Sequence, residues 1–198
     1  VGHYEQRQLQ FIADRAAARK VDSTRHKCFI SYHGEDVDEV STFLDDFGTE
    51  FIAKTIGVTD EDDFIDSEDT DYIMSRIRQD YLGNSTVTIV LIGKCTWARK
   101  YVDWEVFSSL RGSKHSKVNG LLAIELPSVA GNSRLPGRVS DNVERDAYGR
   151  NLGYARYYVY PSSKQTIRDW ISDAYVGRTT RDALIDNSRD RRQRNATC

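Results

Sequence analysis

The 198 residues, 39% hydrophobic and 29% charged, suit one domain with modest extensions and a core that needs no staples. A net charge of -2, from 28 Lys and Arg against 30 Asp and Glu, excludes the cationic surplus that nucleic-acid binding requires. No apolar run approaches the roughly 20 residues of a membrane span, and the first residues carry no signal-peptide pattern. Cys28, Cys95 and Cys198 are odd in number, far apart and without metal-ligand spacing. The expectation is therefore a cytoplasmic protein in a reducing compartment, without a disulfide scaffold, a metal, a membrane or a nucleic-acid partner.

Residues 1–26 place Leu9, Phe11, Ile12 and Ala16 at near-helical spacing and predict an amphipathic helical extension. Lys27 to Tyr32 is a short apolar strand stopped by His33-Gly34. Val37, Val40, Phe43, Leu44, Phe47 and Phe51 recur three and four apart, a helix face. Ile56 and Val58 suggest a weak strand before the acidic stretch Asp60–Asp71, and Tyr72, Ile73, Ile77, Tyr81 and Leu82 a second helix. Thr86–Ile92 is apolar on both faces, as a central parallel strand requires. Trp97–Leu110 reads as the third long helix and Leu121–Ile124 as another buried strand. Residues 127–152 form a long loop rich in Gly and Pro. Tyr154–Tyr160 reads as a last strand, and Ile167, Trp170, Ile171 and Tyr175 as a last helix. The Arg-rich residues 179–198 are expected to be a partly disordered polar tail beyond a domain spanning 27–178.

Alternating strands and helices predict an α/β, flavodoxin-like doubly wound parallel sheet, with ligands bound outside the carboxyl ends of its strands. That singles out Ser31-Tyr32-His33, the Gly93–Thr96 turn and the long loop. A flavin-phosphate cradle does not fit, because Glu35 and Asp36 fall in the first helical turn, where they would repel phosphate and suit the helix dipole instead. A phosphoacceptor site does not fit either, since the central strand ends Ile92-Gly93-Lys94 without a carboxylate. The acidic stretch lacks the glycine and spacing of a calcium loop and better suits a helix start. Trp97, Tyr101 and Glu105 are spaced to share one helical face. A carboxylate continuing an aromatic stripe can sit beside a flat cationic heterocycle, or simply be an exposed Glu beside a half-buried aromatic face.

The segment from Lys27 to Asp36, KCFISYHGED, resembles the opening strand and turn of TIR domains. TVTIVLIG (86–93) followed by YVDWE (101–105) resembles the central strand and following helix of that superfamily, in which an aromatic precedes a functional Glu by four residues. The wording is most similar to the TIR-like proteins of the Thoeris anti-phage system, the ThsB group, with the similarity extending over 27–176. The resemblance implies an enzyme of antiviral defence that cleaves NAD between nicotinamide and ribose. It further implies cyclisation of the ADP-ribose part into a signal that activates an effector protein. NAD is then a substrate and no cofactor is needed. By position Glu105 takes the catalytic role, Tyr101 is its aromatic neighbour where Trp is commoner in the family, and Ser31, Tyr32 and His33 line the nucleotide cleft. A homo-oligomer is a further expectation. One carboxylate is enough for such chemistry: nicotinamide leaves as a neutral base, so no general acid is required, unlike in ordinary glycosidases. A non-catalytic TIR-like scaffold acting by assembly, and relatives of the fold that exchange deoxyribose between bases, remain alternative readings.

Overall fold

The structure is a computed structural model that describes residues 25–55, 82–112 and 117–198. Its centre is a five-stranded, all-parallel sheet ordered β2-β1-β3-β4-β5, from β1 (Lys27–Ser31), β2 (Ile52–Thr55), β3 (Val87–Ile92), β4 (Gly120–Glu125) and β5 (Arg156–Tyr158). This is the expected flavodoxin-like α/β class. β3 is buried along its whole length, because both of its faces are covered.

Period-two alternation divides the core between the two faces of the sheet. On one side Val87, Ile89, Leu91, Leu122 and Ile124 meet α1 (Val37–Phe47) and α4 (Lys164–Thr180) through Phe43, Phe47, Ile167 and Ile171. On the other, Val90, Ile92, Leu121 and Ala123 meet α2 (Lys100–Ser109) and the short α3 (Gly137–Asp141) through Val102, Val106 and Val139. α4 starts where the Ser163 side chain accepts the Thr166 amide at 3.1 Å. It lies so close to β4 that a Cβ at Gly120 would stand 2.1 Å from the Ala174 carbonyl oxygen.

Several elements differ from the sequence reading. β2 lies at Ile52–Thr55, where no strand was expected, with Lys27 to Ile30 in register with Ile52 to Thr55, while Ile56 and Val58, expected to form a weak strand, lie outside the described residues. Trp97 lies in a separate 3-10 turn, Thr96–Ala98, and the helix starts only at Lys100 because Arg99 is extended. The loop 127–152 contains α3 and the Arg145–Asn151 bridge. The extension over 1–24, the acidic stretch and the helix expected at 72–82, save Leu82 itself, lie outside the described residues. Among the described residues, no helix is long and apolar enough to cross a membrane.

Two expectations fail outright. Residues 185–198 are not a loose tail: they run back along α2, with hydrogen bonds to Ala98, Lys100, Trp104 and Phe107. Cys95 and Cys198, 103 residues apart in sequence, are disulfide-bonded with their Cα atoms 5.5 Å apart. Spacing along the chain concealed the pair because this returning segment brings the two together. The cysteine pattern therefore no longer argues for a reducing compartment. Cys28 is the free cysteine, a buried small hydrophobe within β1.

Candidate active site

The sheet order changes direction between β1 and β3: the chain runs outward from β1 to β2, then returns to β3 on the other side of β1. A crevice at the carboxyl ends of these two strands is where open α/β sheets bind ligands. Ser31 ends β1 there, and α2 runs back from the end of β3, carrying Glu105 on the turn that faces β1.

Ser31 Oγ donates to Glu105 Oε2 at 2.5 Å, joining residues 74 positions apart in a buried contact. Glu105 is only 6% exposed, which overturns the reading of a solvated helical Glu. Burial pushes its carboxyl up to about 8, against the opposing pull of the Ser31 hydroxyl. Tyr32 follows at the same strand end, half-buried, its phenol raised by burial and by the Glu105 charge. His33 is buried, with Nε2 3.2 Å from Glu35 Oε2.

The structure therefore brings Ser31, Tyr32 and Glu105 together and sets His33 on the adjoining turn. Tyr101 is one helical turn before Glu105, but its ring lies edge-on to Trp104 at 5.5 Å, with the Lys100 ammonium 4.8 Å from its centre. Trp97 is off this stripe altogether, stacked under the Arg134 guanidinium at 3.5 Å.

Two features of the crevice escaped the sequence reading. Asp36 is not an exposed partner of a helix dipole; it turns toward β3 and accepts from Thr96 Oγ1 at 3.3 Å, while Thr96 Oγ1 accepts the Gly93 amide at 2.8 Å. Burial raises the Asp36 carboxyl, with His33 and Thr96 opposing. A Cβ on Gly93 would stand 2.1 Å from an Asp36 oxygen, so glycine is what lets the two strand ends meet. The second feature is Glu125 at the end of β4. It accepts from the Gly131 amide, Ser133 Oγ and Tyr157 hydroxyl, and so anchors the loop after β4. The only sequence signal for either was a carboxylate close to a strand end.

A doubly wound parallel sheet with a buried carboxylate at its switch point places the protein in the flavodoxin-like α/β class. The family model for the Thoeris protein ThsB, TIR-like domain, matches residues 29–130, a span that runs from β1 through β4 and contains Ser31 and Glu105. The chain belongs to this TIR-like family of Thoeris antiphage defence. No curated protein matches it.

Proposed function

We propose that the protein cleaves NAD at the bond between nicotinamide and ribose and makes a cyclic ADP-ribose-type signal that activates an effector protein. The observation that carries this reading is the buried Glu105 carboxyl, held by Ser31 at the switch point of the sheet. A carboxylate in a water-poor crevice stabilises positive charge far better than an exposed one. NAD presents such charge twice, first on the nicotinamide ring and then, as the bond breaks, on the ribose.

In this scheme the C1″–N bond breaks with its electron pair passing to the nicotinamide nitrogen, and the ring leaves neutral. Glu105, as the anion, opposes the oxocarbenium charge from the ribose side. Ser31 fixes the carboxylate's direction, and Tyr32 supplies a flat surface for the rings of the substrate. A nucleophile of the same ADP-ribose then attacks C1″ and loses a proton, closing the ring; attack by water would give ADP-ribose instead. His33 borders the nucleotide side of the crevice.

The test is nicotinamide release and product mass after incubation with NAD, for the wild type and Glu105→Gln. A product lighter than ADP-ribose by one water, made by the wild type and reduced at least about 10³-fold by the substitution, is the expected outcome. ADP-ribose alone would make the protein a hydrolase. Equal nicotinamide release by the variant would remove Glu105 from the mechanism. An absence of turnover in both, including in lysate from infected cells, would leave a TIR-like scaffold acting by assembly.

A further inference from the structure

We propose that residues 185–198 form a strap that positions the Glu105-bearing helix, with Asn195 capping that helix and the Cys95–Cys198 bond locking the strap in place. The proposal rests on the reading of Glu105 given above only for its consequence in turnover.

The start of α2 lacks a cap of its own. Arg99 occupies the N-cap position, and an arginine side chain has donors only, so it cannot accept from the first amides of the helix. The acceptor comes from the strap: Asn195 Oδ1 takes the Lys100 amide at 2.8 Å, across 95 residues of sequence. Next to it the Ala196 amide donates to the Ala98 carbonyl at 2.9 Å, in the turn that leads into the helix.

Further along, Trp104 Nε1 donates to the Arg192 carbonyl at 2.8 Å, and the Arg192 amide donates to Asp103 Oδ2 at 2.9 Å. Trp104 and Asp103 immediately precede Glu105. The Arg192 guanidinium also reaches the Trp97 carbonyl at 3.2 Å, and Asn187 Nδ2 reaches the Phe107 carbonyl at 3.1 Å. The strap thus holds α2 at its start, on both residues before Glu105 and on the turn after it. Because the Ser31–Glu105 contact spans two separate elements, a rotation of α2 by a fraction of a turn would break it.

The disulfide anchors the strap at Cys95, in the loop that joins β3 to the Thr96–Ala98 turn. Reduction by a dithiol, which is itself oxidised to a cyclic disulfide, delivers two electrons and two protons and leaves two thiols. The strap then depends on its hydrogen bonds to the helix start, where solvent competes.

The indole N–H groups of the 3 tryptophans report this directly in a ¹⁵N-labelled sample. Trp104 is assigned through Trp104→Phe, and Trp170, stacked on Tyr158 at 4.1 Å in the body of the fold, serves as the internal control. After complete reduction with dithiothreitol, verified by a mass gain of two hydrogens, the Trp104 indole is expected to shift and to exchange at least about five-fold faster, the size of a lost helix cap. Trp170 is expected to stay in place, and Cys198→Ser to behave like the reduced protein without reductant. An unmoved Trp104 signal in both samples would overturn the lock.

Asn195→Ala is expected to move the Trp104 signal in the same direction and to lower kcat several-fold with little change in KM. Asn195→Asp, which keeps an acceptor oxygen in that place, restores both. Failure of the aspartate to restore the signal would remove Asn195 as the cap. A wild type that never turns over NAD would overturn the reading of Glu105, while the indole signals alone would still decide the strap.

Discussion

In the free protein the Glu105 carboxyl, raised to about 8 by burial, keeps its proton at neutral pH, yet charge stabilisation needs the anion. The rate at low NAD is therefore expected to rise with pH, by about tenfold between pH 7 and 9 for a group of that pKa. A bound nicotinamide cation favours the anion, so the midpoint of kcat should lie below that of kcat/KM. Ser31→Ala removes the hydroxyl that pulls the carboxyl down and should move the kcat/KM midpoint upward, a shift that pH-rate profiles of both proteins would measure. Stability follows the opposite sign. Because the folded carboxyl binds its proton more tightly than the unfolded one, whose ordinary value is 4.5, this group's contribution is full below about 4.5 and is lost as pH rises toward about 8. Urea unfolding of the wild type should therefore lose ground against Glu105→Gln across that window, by on the order of 3–5 kcal/mol, and level off above it. A constant difference between the two proteins would mean that Glu105 titrates normally.

Along α2 the same principle separates what the sequence disclosed from what it did not. Tyr101 and Glu105 were legible because a spacing of four places both on one side of any helix. Trp97 was misplaced since a 3-10 turn and an extended Arg99 interrupt the periodicity, and Gly or Pro, the usual signs of a break, are absent there. Asp103 is a polar position that nothing in the sequence singles out, yet it is 5% exposed and paired with Arg138, fully buried and among the largest such side chains of the described residues, at 3.1 Å and 3.3 Å. Arg138 sits on α3, inside a segment without periodicity, so nothing local announced the pair. Its guanidinium also reaches Asn187 and the Asp190 carbonyl, tying α3, α2 and the strap into one polar knot. Arg138→Met leaves the buried Asp103 without its guanidinium partner, the Arg192 amide still donating to it, and should cost about 3–5 kcal/mol in denaturant unfolding. Asp103→Leu combined with Arg138→Met removes both charges and should recover most of that loss, because the penalty belongs to the orphaned charge.

At the scale of the whole molecule, the parallel sheet could be read from the chain because a strand covered on both faces must be mostly apolar, as β3 and β4 are apart from Thr88 and the terminal Glu125. The strap could not, since its residues are mostly polar and most of its partners are backbone groups and distant side chains, which leave no pattern in composition. The disulfide makes the strap part of the global stability as well as of the site. Closing a loop of 103 residues restricts the unfolded chain, an effect separate from the strap's hydrogen bonds in the folded state, and bonds of this kind contribute about 2–4 kcal/mol. For a protein of this size that is a fall in Tm of roughly 5–15 °C on reduction. Differential scanning calorimetry of the oxidised and reduced wild type measures it, and Cys198→Ser separates the causes. The variant should melt with the reduced protein, and reductant should lower it no further, because the remaining candidate, Cys28, is buried and unbonded. If reduction lowered the variant's Tm as much as the wild type's, the stabilisation would come from something other than the Cys95–Cys198 loop.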